Sequence, residues 1–97
     1  MTKAARPDLL DALLALESRA EAKAFIDDLC TPAEIRALSE RWLVARLLDE
    51  GEMSYREIAQ AAESSTATVV RVARFLKDMP YKGYRRVLDR LKAAAGR

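Results

Sequence analysis

Apolar residues recur along this chain every three to four positions, and almost nowhere at every second position. That spacing puts them on one face of α-helices and argues against strands. Leu9, Leu10, Leu13, Leu14 and Leu16 make a first stripe, opened by Pro7-Asp8. Ala22, Phe25, Ile26 and Leu29 make a second. Ser18-Arg19-Ala20-Glu21 precedes it in the pattern of a capping box, in which the hydroxyl takes a backbone N–H and the Glu reaches back to the cap. A third stripe runs through Ile35, Leu38, Trp42, Ala45 and Leu48, widened by Leu43 and Leu47. Thr31-Pro32-Ala33-Glu34 opens it with a cap, a Pro suited to the first helical position and an acid two positions later. Gly51 sits where a left-handed C-cap is expected. The spacing predicts a helix over 32–50, the longest of the chain and the spine of its core.

The pattern then shortens. Ser54-Tyr55-Arg56-Glu57 is another capping box, and a brief helix is predicted from there to Ala62. Glu63-Ser64-Ser65 reads as a turn. The next helix runs from Thr66 to Lys77 and is broken by Asp78-Met79-Pro80. A last helix, over 81–95, carries Tyr84, Val87, Leu88 and Leu91. The fold class is therefore all-α, with six short helices in one domain. Residues 1–53 form its dimerisation helices, 54–77 a helix-turn-helix, and 80–95 a C-terminal helix. Short helices with broad apolar faces need a partner to bury them, and a chain of 97 residues buries a modest core by itself.

Composition removes several functions. There is no His, the commonest acid/base catalyst and metal ligand. No Gly-rich phosphate loop is present. Asp27-Asp28 and Asp49-Glu50 are neighbours in sequence only, since adjacent helical residues point different ways. No enzyme, cofactor or metal is expected. Cys30 is the only cysteine, which fits a reduced compartment; at a helix junction between apolar neighbours it reads as a small buried residue, with an exposed reactive thiol as the alternative. No apolar run approaches the roughly 20 residues that span a bilayer, and no signal-peptide core opens the chain. A cytoplasmic location without membrane contact is expected.

The net charge of +2 conceals an asymmetry. Residues 1–63 hold 8 Lys/Arg against 13 Asp/Glu, whereas residues 64–97 hold 9 against 2. A basic third beside an acidic body fits either an anionic partner such as nucleic acid or a solvated, Arg-rich helix face.

The segment 54–77 decides between these readings. A helix-turn-helix needs two short helices, a tight turn and a buried crossing. The start of its second helix must offer small or polar side chains to the major groove. Ile58 and Ala59 are placed to face the crossing, with Ala59 small enough for close approach. Val69 and Val72 are expected inward, with Leu76 one turn on. The outward arc is then Thr66, Ala67, Val70, Arg71 and Arg74. Methyl groups of Thr66, Ala67 and Val70 suit thymine, and Thr66 and Thr68 can hydrogen-bond bases or phosphates. Ser65 and Lys77 flank this arc, and Arg56 lies near the same surface. Taken singly, an Arg pair three apart is a solvated face and a Thr-rich start is a cap. Their conjunction in register points to double-stranded DNA. One position disagrees, because Glu63 stands where most such turns use Gly, at a cost of roughly 1 kcal/mol for a left-handed residue.

At these residues the chain resembles the Trp-repressor-like superfamily, most of all its YerC/YecD-type branch. The carrying segments are Asp28-Leu29-Cys30-Thr31-Pro32, Glu50-Gly51-Glu52-Met53-Ser54 with Arg56-Glu57-Ile58, and Ser65-Thr66-Ala67-Thr68-Val69-Val70-Arg71-Val72 with Arg74 and Leu76. Gly83-Tyr84-Arg85 with Val87-Leu88 closes the match. The resemblance implies an intertwined homodimer whose two helix-turn-helix units face one side. The Trp repressor itself exemplifies that docking mode, with half-sites about 34–36 Å apart.

It also bears on tryptophan. Arg41, Arg71 and Thr31 match positions where the family holds that ligand. Val72 stands where the family needs Gly, and Phe75 where it needs Ser. These two side chains are expected to fill the slot themselves, so no tryptophan binding is expected. Phe75 would then act as a built-in plug. The reading that results is a homodimeric, sequence-specific transcriptional regulator, a repressor, independent of tryptophan. Two alternatives stay open: a protein-interaction module on the same fold, and a regulator gated by another small molecule.

Overall fold

The computed structural model describes residues 7–96. They form six helices and no strand: α1 (Leu9–Leu14), α2 (Arg19–Leu29), α3 (Pro32–Glu50), α4 (Tyr55–Ala61), α5 (Thr66–Lys77) and α6 (Gly83–Ala95). None of them is long and apolar enough to cross a membrane. The chain clusters into two compact units, Met1–Ile35 and Arg36–Arg97.

In the first unit, side chains close the helix starts. Asp8 and Asp11 cap each other's backbone N–H at α1. The helix stops at Leu14, short of the Leu16 that ended its predicted stripe. Only half of the box at Ser18 forms. Its Oγ accepts from the Glu21 N–H at 3.1 Å, but the Glu21 carboxylate takes the Glu17 N–H at 2.9 Å instead of returning to Ser18. Thr31 and Glu34 make the reciprocal pair expected of them at the start of α3. No residue of α1 or α2 is buried. Leu9, Leu10, Leu13 and Leu14 are exposed by 41–84%. Cys30, read as buried, is half-buried at the C-cap of α2, a helix that buries none of its own residues.

The second unit holds the core. Val44, Ala45 and Leu48 of α3 pack with Ile58, Ala59 and Ala62 of the α4 segment and Val69, Val72 and Ala73 of α5. Trp42, Leu43, Leu47, Leu76 and Tyr84 flank them, partly buried. The long stripe of α3 is thus a spine over its C-terminal half alone, since Leu38 remains 46% exposed. Gly51 takes φ +73° with nothing within 4 Å of the position of a Cβ. Its backbone angle, and not crowding, is what calls for glycine.

α6 begins at Gly83 instead of residue 81. Lys82 precedes it at φ 64°, left-handed and without a side-chain cap. Pro80 cannot donate and fixes its own φ, and the chain turns at Lys82 before the helix can propagate. Among the described residues, three ion pairs involve this helix. Arg85 Nη1 reaches Asp49 Oδ1 of α3 at 2.8 Å, its Nη2 reaches Asp89 Oδ1 at 2.8 Å, and Lys92 Nζ reaches Asp49 Oδ2 at 2.6 Å. The Asp49 side chain is 10% exposed. Hydrogen bonds from Arg85 first, and Lys92 second, hold its carboxyl below the ordinary carboxylate range against the opposing effect of burial. A groove of about 360 Å³ lies beside this bridge, lined by Trp42, Arg46, Leu88, Leu91 and Ala95 among others.

Candidate nucleic-acid interface

Local chemistry sets the path from α4 to α5. The Ser54 N–H donates to Glu57 Oε1 at 2.8 Å and the Glu57 N–H donates to Ser54 Oγ at 3.1 Å. These bonds fix the start of α4, and hydrogen bonds from Ser54, its backbone N–H first and its side chain second, hold the Glu57 carboxyl below its ordinary range. At the far end the Ser64 N–H donates to the Ala59 carbonyl at 2.8 Å and the Glu63 N–H to the Gln60 carbonyl at 3.2 Å. This pair of bonds is a Schellman motif. Its left-handed residue is Glu63, at φ 51°. The turn therefore keeps the geometry that glycine usually supplies and carries the strain of a side chain there.

Ser65 is the N-cap of α5. Its Oγ accepts from the Thr68 N–H at 3.1 Å and lies 3.0 Å from Thr68 Oγ1. Two of the three hydroxyls expected at a nucleic acid, those of Ser65 and Thr68, are thus engaged with each other, and their first task is to start the helix. Sequence reading placed Ser65 in the turn and missed this cap. The signal was its spacing of three from Thr68.

From that start α5 divides cleanly. Val69, Val72 and Ala73 are buried, at 5% exposure or less. Ile58 and Ala59 meet them at the crossing, as their positions predict. Thr66, Ala67, Val70, Arg71 and Arg74 are exposed along the opposite face. Val70 stands out, being 55% exposed although apolar. Lys77 is exposed at the helix end, with Nζ 5.9 Å from the centroid of the Tyr55 ring. Tyr55 precedes Arg56, itself exposed at the start of α4. α5 contains three cations and no acid. Among the described residues, no ion pair engages Arg56, Arg71, Arg74 or Lys77.

Two aromatic residues join this face. The Arg71 guanidinium lies 4.6 Å from the Phe75 ring centroid. Phe75 in turn stacks with Tyr81, centroids 6.3 Å apart and planes 15° from parallel. Val72 belongs to the core, as expected. Phe75 is half-buried on the flank of the exposed face, with Arg71 laid over its ring, and so is a platform more than a buried plug. The spacing of four between Arg71 and Phe75 was a signal for their contact. The part of Tyr81 had none, because it depends on how the turn at Lys82 runs.

The sequence profile of the family described as Trp repressor protein matches residues 6–92. The uncharacterized protein YerC of Bacillus subtilis is 42% identical over 84 residues, which is 87% of this chain and 79% of YerC. Two solved structures are similar at a TM-score of 0.80 and 43% identity, each over 87% of this chain. One is a proposed Trp repressor from Staphylococcus aureus, of which 82% is covered. The other is a TrpR-like protein from Eubacterium eligens, of which 84% is covered.

Proposed function

The chain belongs to the Trp repressor protein family, and from that membership we propose that it is a homodimeric, sequence-specific transcriptional regulator that enters the major groove with α5. One observation carries the reading. A single helix buries one face in the core and exposes the other with small side chains at its start and unpaired cations along it. Thr66, Ala67 and Val70 meet base edges, where their methyl groups suit thymine. Arg71, Arg74, Lys77 and Arg56 hold phosphates, supplying affinity and register. Ser65 and Thr68 contribute through the hydroxyl pair that caps the helix, leaving their remaining lone pairs or protons for the backbone of the duplex.

The dimer is supported by the exposed leucines of α1, which a single chain leaves uncovered. Two α5 helices on one side would then read half-sites about 34–36 Å apart. Repression is the sign of regulation carried by the family's name. Val72 fills core space and Phe75 engages Arg71, which supports control without tryptophan.

Selection from random oligonucleotides with the purified protein tests this. The expected result is a near-palindromic site whose binding weakens steeply with salt. An Arg71→Ala, Arg74→Ala variant should bind more weakly, with the salt slope reduced by about 1 for each phosphate that is no longer neutralised. Absence of binding at low salt, or binding equal for every sequence, would overturn the reading.

A further inference from the structure

The cations on α5 are not held alike. All three are exposed, but among the described residues Arg74 meets no ring, Lys77 Nζ stands 5.9 Å from the Tyr55 centroid, and the Arg71 guanidinium lies closest to an aromatic surface, 4.6 Å from the Phe75 centroid. That surface is assembled from beyond the helix. Pro80 and the left-handed Lys82 turn the chain after α5, and Tyr81 between them stacks on Phe75. Phe75 is half-buried and its ring stacks with Tyr81, so it offers a backed plane to the guanidinium.

We propose that Phe75, backed by Tyr81, is a positioning residue that sets Arg71 in place for a DNA phosphate before DNA arrives. The inference rests on the proposed DNA-binding function and deepens it. A free arginine loses considerable rotamer freedom when it is ordered at an interface. A guanidinium already stacked on a ring has given up part of that freedom in the unbound protein. A guanidinium over the ring keeps the N–H groups that point away from it for phosphate oxygens, which accept them. The aromatic pair thus makes the readiness of α5 a property of the fold and not of an added ligand.

The test compares Phe75→Leu, which keeps apolar volume and removes the ring, with Phe75→Trp, which keeps a ring, and Tyr81→Leu, which removes only the backing. Each is measured for thermal stability, for DNA affinity, and for ¹⁵N relaxation at Arg71 Nε in the free protein. Phe75→Leu should weaken binding by about two- to fivefold for each helix-turn-helix engaged, the span of an exposed cation–π contact. Tyr81→Leu should lose less and Phe75→Trp little. Arg71 Nε should be less mobile than Arg74 Nε in the wild type and equally mobile in Phe75→Leu. In an Arg71→Ala background, Phe75→Leu should cost nothing further. Wild-type affinity in a folded Phe75→Leu variant would overturn this proposal and leave the DNA-binding reading intact. So would an Arg71 Nε as mobile as Arg74 Nε in the wild type, or an undiminished cost of Phe75→Leu in the Arg71→Ala background. A wild type that binds no DNA would overturn both.

Discussion

The two units of this chain treat their apolar residues in opposite ways. In Arg36–Arg97 the side chains of three helices close over one another until Val44, Ala45 and Val69 have no exposure at all. In Met1–Ile35 the helices are equally well started, by Asp8, Ser18 and Thr31, yet no residue of α1 or α2 is buried. Good caps and an amphipathic pattern therefore make a helix but do not tell where its apolar face goes. The second unit answers that from its own chain. The first answers it, on the function proposed above, from a second chain.

The contrast can be broken most forcefully at the crossing of α4 and α5. Ile58 is 1% exposed, and Ile58→Ala should destabilise the protein by about 2–5 kcal/mol in urea unfolding, through lost burial and the cavity left behind. A loss under about 1 kcal/mol would mean that this core is not closed.

Next comes the first unit. Leu10→Ser with Leu14→Ser should be nearly neutral if these side chains stay in water and costly if a second copy covers them. We expect the wild type to sediment as a dimer and to unfold at a midpoint that rises with protein concentration. The double variant should shift toward the monomer and lose much of that dependence. A monomeric wild type would show that the leucines of α1 have another use.

A smaller effect is expected where α6 joins α3. Asp49→Asn should lower Tm by a few degrees at neutral pH. The Asp49 carboxyl is held below its ordinary value of 3.8, so its contribution is fully present above that pH and is lost as pH falls through the lowered value. The Tm values of variant and wild type should converge in acid. A constant difference down to the acid limit would assign the effect to packing instead.

The smallest effect belongs to the turn. Glu63→Gly relieves a left-handed side chain but adds chain entropy to the unfolded state. A net gain of about 0.5 kcal/mol is expected, with DNA affinity unchanged, by urea unfolding and a binding titration. A loss of stability would mean that the Glu63 side chain does more than tolerate its φ.

Much of this architecture was legible from residue order because it is local. The capping pairs at Thr31 and Ser54, a Gly past a helix end and valines three apart each act within one turn and were placed from their spacing, whereas the equally local cap of Ser65 on Thr68 was missed. Glu63 was marked as the odd residue of its turn for the same reason. What escaped depends on parts distant in sequence. Asp49 looked like half of an idle acidic pair, because Arg85 and Lys92 come 36 and 43 positions later. The aromatic backing of Arg71 needs the path of the turn at Lys82. Cys30, expected to be buried, ends a helix that buries none of its own residues and is only half-buried. The composition of α5 named its exposed face correctly, yet could not separate a cation held on a ring from one free in solvent.

Trp42 is the only tryptophan of the chain, half-buried on α3 and lining the groove beside Leu88 and Leu91 of α6. Its fluorescence therefore comes from one known place. Emission on selective excitation reports the surroundings of that one ring, which lines the groove and packs against the core. A second chain or a small molecule settling there would shift the spectrum to the blue without any label, so the protein carries its own optical gauge of whether that groove is wet or filled.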